Sequence, residues 1–324
     1  MTATVRLSGV EAAPDVNPPC DFAQGDLQAT SLQSDVYLII GIETHYSNNS
    51  LLQQSKKKQG GSAMKFLQII LTLLIAIVSF GQSRTLEETV EKQFDFDSGG
   101  LVTLKNVNGK VAVEGWDKNE VYMVAVKRVK AGSREDAQKL MERVKIEIEE
   151  SNGEIYIRTR LPRKNGNFWD WAFGDGASAS VRYTLQVPHD CNLRIESTNG
   201  SVEAADVNGD IRLESTNGKI RANDIGGELN AHTTNGSIKA EMTAIDDSGE
   251  MDLTTTNGSI KLYLPANAAF DVKAKTTNGS VDCDFPISVK SHHNKRRRLE
   301  GSVNGGGVRL FLETTNGGIS IWER

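Results

Sequence analysis

Asn-Gly returns six times in near-identical surroundings along this 324-residue chain. It appears as Ser-Thr-Asn-Gly at Asn199 and Asn217, and as Thr-Thr-Asn-Gly at Asn235, Asn257, Asn278 and Asn316. Successive asparagines are 18, 18, 22, 21 and 38 residues apart, a base period of eighteen with insertions. A repeat of that length is one supersecondary unit that cannot bury its apolar face alone, so the copies must stack.

Aligning the copies on the asparagine exposes the core. Six positions before it stand Leu193, Ile211, Leu229, Met251, Val272 and Leu310. Three positions after it stand Val202, Ile220, Ile238, Ile260, Val281 and Ile319. The residues between are mostly polar: Arg194, Glu196, Glu203, Arg212, Lys239 and Lys261 among them. Alternation with period two on both sides of a turn signal means strand, turn, strand. A second turn falls at Asp206-Val207-Asn208-Gly209 and at Asp224-Ile225-Gly226-Gly227. Earlier copies of the template surround Asn108 (Val102, Leu104, Val111, Val113) and Asn152 (Ile146, Ile148, Ile155, Ile157). A short helix is expected at 133–143, where Ser133 precedes Arg134 to Arg143 with Asp136 three residues on.

Independent hairpins have no reason to repeat Thr-Asn-Gly, whereas stacked coils pair like side chains along the stack. Asparagine tolerates the left-handed backbone region at a corner, and stacked asparagines form hydrogen-bonded ladders. The expected fold is therefore all-β: a right-handed parallel β-solenoid of about eight coils with Thr-Asn-Gly corners, one short helix and two or three inserted loops. Asn199, Asn217, Asn235, Asn257, Asn278 and Asn316 would form the corner ladder, and Thr198, Thr216, Thr234, Thr256, Thr277 and Thr315 a second ladder beside it. The alternative for the same pattern is a twisted sandwich. Phe94 and Phe96 are expected to close the first coil, and the last strand, Ile319 to Trp322, to form an open edge capable of self-association.

At this point the sequence resembles a bacterial family of candidate adhesins with β-strand repeats and no known function. More distantly it is similar to the exported head domain named for its Gly-Ile-Asn motif. The resemblance rests on Val107-Asn108-Gly109-Lys110-Val111, on Gly115-Trp116-Asp117, on the short helix, and on Tyr183 to Pro188 leading into the Thr-Asn-Gly run. It covers about residue 90 to 324. It implies an exported β-solenoid at the cell envelope and brings no enzyme activity, cofactor or mapped site.

The chain before the repeats reads as a leader. Met64-Lys65 is followed by an uncharged run from Phe66 to Phe80, ending at Ser79-Phe80-Gly81 with cleavage expected before Gln82. The run is short for a spanning helix, which needs roughly 20 apolar residues. Residues 1–63 have no sustained period, and translation is expected to start at Met64, because Gln59-Gly60-Gly61 can be encoded by a ribosome-binding sequence. The organisation is then 64–81 signal peptide, 82–180 atypical coils, and 181–324 regular repeats.

With 42 acidic against 37 basic side chains and a net charge of −5, no global basic field points to nucleic acid. No nucleophile elbow or phosphate-binding loop precedes a helix, and the outward positions mix charges without an acidic cluster, so the reading is non-enzymatic. No cofactor and no metal is expected: Asp246-Asp247-Ser248-Gly249 lacks neighbouring calcium repeats, and His292-His293 has no evident third ligand. Cys191 and Cys283 fall about four coils apart, roughly 19 Å at the sheet spacing, beyond disulfide reach of about 7 Å. Both thiols are expected to be free. Two insertions are candidate binding sites. Within 161–180, Phe168, Trp169, Trp171 and Phe173 are rings that can stack on sugars or dock a partner. Lys295, Arg296, Arg297 and Arg298 form a cationic run suited to anionic lipid or acidic glycan. The expected function is an exported adhesin-like binding or structural module at the envelope (periplasmic, surface-bound or secreted), its partner an envelope glycan, an anionic lipid or a protein. The alternatives are a polysaccharide-active β-helical enzyme, or a periplasmic partner in envelope stress signalling.

Overall fold

The computed structural model describes residues 84–162, 176–245, 249–289 and 296–324. The leader and residues 1–63, the four rings of the aromatic insertion, Asp246 to Ser248, His292-His293 and Lys295 lie outside them.

The described chain is all-β with one short helix, and its strands form one curled, open sheet. The N-terminal part contains β1 (Thr85–Asp95), β2 (Leu101–Asn108), β3 (Val111–Trp116) and β4 (Glu120–Lys130). There follow α1 (Arg134–Arg143), β5 (Lys145–Ser151), β6 (Glu154–Arg160) and β7 (Ser178–Pro188). The repeats supply β8 (Asn192–Asn199), β9 (Val202–Ala205), β10 (Asn208–Ser215), β11 (Ile220–Asn235), β12 (Ile238–Ala244), β13 (Glu250–Asn257) and β14 (Ile260–Leu264). The chain closes with β15 (Phe270–Asn278), β16 (Val281–Cys283), β17 (Ser288–Val289), β18 (Arg298–Val303), β19 (Val308–Asn316) and β20 (Ile319–Glu323).

Each corner divides a repeat between two faces. On the first face the neighbours run β6, β2, β8, β10, the second half of β11, β13, β19 and β15, all parallel. On the second they run β7, β3, β9, the first half of β11, β12, β14, β20 and β16, again parallel. Because β11 continues through the second turn, the two faces belong to one sheet curled around the core. Asp206 and Asp224 take the left-handed backbone there, with φ of 57° and 53°. Both ends are closed by antiparallel strands: β1 on β4 on β7 and β5 on β6 at one, β18 on β15 and β17 on β18 at the other.

The core is the alternation read from the sequence. Leu193, Ile211, Leu229, Val202, Ile220 and Ile260 are completely buried, each contributing about 1.5–3 kcal/mol relative to exposure. Phe94 and Phe96 are buried beside the first rungs, as expected. Helix α1 is capped by Ser133, whose hydroxyl accepts from the Asp136 amide at 3.1 Å, and it buries Ala137, Leu140 and Met141.

The corner asparagines form the expected ladder, and each amide donates to the one before it. Asn199 donates to Asn108, Asn217 to Asn199, Asn235 to Asn217 and Asn257 to Asn235, each at 2.8 Å. The order then departs from the sequence. Asn316 donates to Asn257 at 2.7 Å, and Asn278 donates to Asn316 at 2.8 Å. The last repeat is therefore inserted between two earlier ones, β19 lying between β13 and β15. The 38-residue spacing is a passage out to the end of the stack and back, not a loop between successive rungs. All corners carry the same residues, so corner chemistry fixes which residues stack but not in which order.

Three further expectations are corrected. Asn152 is not a corner: with φ of 44°, and Gly153 at 80°, it turns the antiparallel β5–β6 hairpin. None of the ladder asparagines has positive φ. The corner glycine is needed for a different reason: a Cβ on Gly218, Gly236 or Gly317 would stand 2.0 Å from the glycine carbonyl oxygen of the adjacent rung. Finally, β20 is not an edge, because it pairs with β14 on one side and β16 on the other.

Candidate functional site

The stacked repeats turn sequence positions into rows. On the first face the outward rows include Arg194 and Arg212, beside them Glu196 and Glu214, and then the exposed threonines Thr198, Thr216, Thr234, Thr256, Thr315 and Thr277. Two open grooves run there. One, of about 550 Å³, is lined by Arg194, Glu196, Asp210, Arg212, Glu214 and Glu228. The other, of about 470 Å³, is lined by Lys105, Thr198, Thr216, His232, Thr234 and Thr256 among others. Carboxylates stack on adjacent rungs, Glu196 opposite Glu214 and Asp210 opposite Glu228. Two of them have cation partners: Lys105 lies 2.7 Å from Glu196, and Arg212 lies 2.6 Å from Glu214.

Behind the threonine row lies a buried hydroxyl row that the sequence reading did not separate from it. Ser215, Thr233, Thr255, Thr314 and Thr276 each donate to a corner glycine carbonyl of the neighbouring rung, at 2.8–2.9 Å. Ser197 occupies the same position but has no partner. The carbonyl it would use, on Gly109, already accepts from the Asn106 amide at 3.1 Å. The signal was present two residues before each asparagine, where the residue is Ser or Thr in all six copies.

On the second face, Glu203 accepts from Lys110 at 2.6 Å and Arg221 at 2.7 Å. Burial pushes its carboxyl up, but the two cations outweigh it and hold the pKa below the ordinary value. Farther along, Lys239 and Lys261 stack in register, and beside them Tyr263 pairs with Trp322. Trp322 is the exposed large hydrophobic side chain among the described residues, at 37%.

Of the cationic run, Arg296, Arg297 and Arg298 are exposed. The carbonyl oxygens of Arg296 and Arg297 accept from the Val281 and Thr276 amides, both at 2.9 Å, and Arg298 opens β18 opposite Lys275. The backbone of the run is thus fastened across the outermost corner, beyond Asn278. Lys295 and the rings Phe168, Trp169, Trp171 and Phe173 lie outside the described residues.

Three of the groups with perturbed ionisation owe it to burial. Tyr183 is completely buried, its hydroxyl 2.7 Å from Thr159, and burial pushes its pKa up to about 12. Cys191 and Cys283 are free thiols; burial pushes Cys191 up to about 12 and raises Cys283 as well. Neither thiol has the electropositive, accessible setting that makes a cysteine nucleophilic.

No curated protein matches the chain in sequence. Among solved structures it is similar to a candidate cell adhesion protein of Clostridium sporogenes, at 14% identity and a TM-score of 0.38, over 74% of this chain and 100% of that one. It is also similar to a candidate adhesin of Bacteroides fragilis, at 10% identity and a TM-score of 0.33, over 73% and 97%. A candidate lipid binding protein of Parabacteroides distasonis follows at 12% identity and a TM-score of 0.22, over 72% and 96%. The family model described as Toastrack DUF4097 matches residues 102–322, from the first inward valine of β2 to the exposed tryptophan of β20, and the chain belongs to that family.

Proposed function

We propose that this protein is an exported, non-enzymatic binding module of the bacterial envelope, adhesin-like in its use of a stacked sheet as an extended surface. In this reading its core is a right-handed parallel β-solenoid, residues 64–81 are a removed leader, and 82–180 close one end of the repeats at 181–324. The observation that carries it is the regularity of the outward rows. In-register parallel pairing holds the corner threonines and asparagines at about 4.8 Å intervals over six rungs. An extended partner can engage such a surface repeatedly, and weak contacts then add by multivalency. The grooves are open, and in the first of them Glu196 and Glu214 are held in ion pairs with Lys105 and Arg212, which leaves Glu214 as the carboxylate whose removal tests the enzymatic alternative.

Two results decide the matter. N-terminal sequencing of the protein recovered from envelope fractions should begin at Gln82, and peptides from 1–50 in that protein would refute removal of a leader. The full chain should bind at least one member of a panel of envelope glycans and anionic vesicles without shortening the glycan. Turnover of a polysaccharide, abolished by Glu214→Gln, would replace the binding reading with the enzymatic one.

A further inference from the structure

The rung order places side by side two rings that sequence order keeps apart. Tyr263 and Trp322 each stand six residues after a corner asparagine, Asn257 and Asn316. In chain order the Asn278 repeat falls between them. The inserted repeat makes them direct partners on adjacent parallel strands, Tyr263 opposite Trp322 on the outward side of the second face. Tyr263 is half-buried and Trp322 is 37% exposed. Both rings are partly covered by the sheet, which leaves a surface of each to solvent.

A row of cations runs beside these rings. Arg221 lies opposite Lys239, and Lys239 lies opposite Lys261, three like charges on consecutive rungs. Like charges directly opposite each other on neighbouring strands destabilise a sheet. On the first face, arginines Arg194 and Arg212 stack in the same way but run beside the glutamates Glu196 and Glu214. On the second face compensation fades along the row. Arg221 is paired with Glu203 at 2.7 Å, Lys239 with Glu241, and Lys261, exposed, is in no ion pair among the described residues. The Lys239 ammonium also lies 5.3 Å from the centre of the Tyr263 ring. At Lys261 the like-charge contact is left without a paired carboxylate among the described residues, and a local rule broken without compensation is where function is expected to sit.

We infer that Lys239, Lys261, Tyr263 and Trp322 form a binding site for an acidic polysaccharide, the rings stacking on sugar faces and the ammonium groups pairing with uronic-acid carboxylates. This deepens the binding-module reading above and rests on it. Aromatic faces and fixed cations together match a chain of charged sugars. The open, flat setting suits a polymer lying across the rungs, whereas a small ligand needs a concave pocket.

The test measures binding of the full chain to polygalacturonate, with dextran as a neutral polymer and phosphatidylglycerol vesicles as an anionic surface without sugar chains. Polygalacturonate should bind, and salt should weaken the binding. Trp322→Ala should weaken it roughly three- to tenfold, and Trp322→Phe should restore most of it. Lys261→Gln should weaken it and flatten the salt dependence. Lys261 is exposed, so Lys261→Gln should keep the wild-type melting temperature. Trp322→Ala loses packing against the sheet and is read at a temperature where the variant is folded, with Trp322→Phe as its packed control. Wild-type affinity in Trp322→Ala and Lys261→Gln would overturn the site, as would equal binding to dextran. Binding lost only when Arg296, Arg297 and Arg298 become Ser would overturn this site and leave the binding module standing. Binding to vesicles but not to polygalacturonate would do the same. Failure to bind any of the three would overturn both.

Discussion

Two adjacent glycines in the final repeat are expected to respond to the same substitution with opposite signs. Gly317 and Gly318 follow Asn316, and neither has positive φ, so alanine is conformationally allowed at both. At such positions Gly→Ala ordinarily stabilises by about 0.4–1 kcal/mol, by restricting the unfolded chain. At Gly318 the new Cβ would meet only the Ser280 carbonyl oxygen at 3.6 Å, an ordinary contact. At Gly317 it would meet the Gly258 carbonyl oxygen at 2.0 Å. That oxygen accepts the Thr314 hydroxyl at 2.9 Å, and the Asn316–Asn257 ladder bond lies beside it. The rungs must separate, so overpacking of about 1–3 kcal/mol is joined by about 1 kcal/mol for each hydrogen bond lost. With both bonds lost the cost is about 3–5 kcal/mol. Subtracting the unfolded-chain gain leaves a net destabilisation of about 2–4.5 kcal/mol, or roughly 5–15 °C in Tm for a domain of this size. Urea and thermal unfolding of the two variants read this directly. Gly317→Ala as stable as Gly318→Ala would refute both the close approach and the placement of the Asn316 repeat against the Asn257 repeat.

Other outcomes follow from single contacts. Ser215→Ala should cost about 1 kcal/mol or more by orphaning the Gly200 carbonyl, whereas Ser197→Ala should be neutral or slightly stabilising, because that hydroxyl has no partner; equal losses in urea unfolding would contradict the hydroxyl row. His189 should titrate above its ordinary 6.5, first because its ring hydrogen-bonds the Asp206 carbonyl at 2.7 Å, and further because Asp117 lies 3.3 Å away. A raised folded pKa means this contact contributes fully below the unfolded pKa and is lost as pH rises through the folded one; an NMR midpoint at or below 6.5 would refute it. Cys191, 1% exposed and with its pKa pushed up to about 12, should not react with Ellman's reagent near pH 8 until the protein unfolds; rapid labelling of the native chain at Cys191 would show that the second turn opens.

What was legible in the sequence was whatever one rung dictates to itself. The in-and-out alternation and the capped helix follow from residues a few positions apart, where period and propensity decide, and the Asn ladder and the separation of the two thiols follow from the repeat length alone. Rung order was not legible, because Thr-Thr-Asn-Gly at Asn257, Asn278 and Asn316 makes the three corners interchangeable as neighbours. Asn152-Gly153 was misread for a related reason: the same dipeptide serves a hairpin turn, where φ is positive, and a stacked corner, where only the closeness of the next rung demands glycine. The Tyr263–Trp322 pair depends on the inserted repeat, so no reading in chain order could find it.

The most direct test of the account is chemical footprinting of the full chain with and without polygalacturonate, labelling lysines and oxidising aromatic rings. Protection of Lys239, Lys261, Tyr263 and Trp322, with Arg194 and Arg212 on the first face unprotected in a parallel arginine-specific reaction, is the predicted result. Protection confined to the first-face groove or to Arg296, Arg297 and Arg298, with Lys261 and Trp322 unchanged, would contradict it.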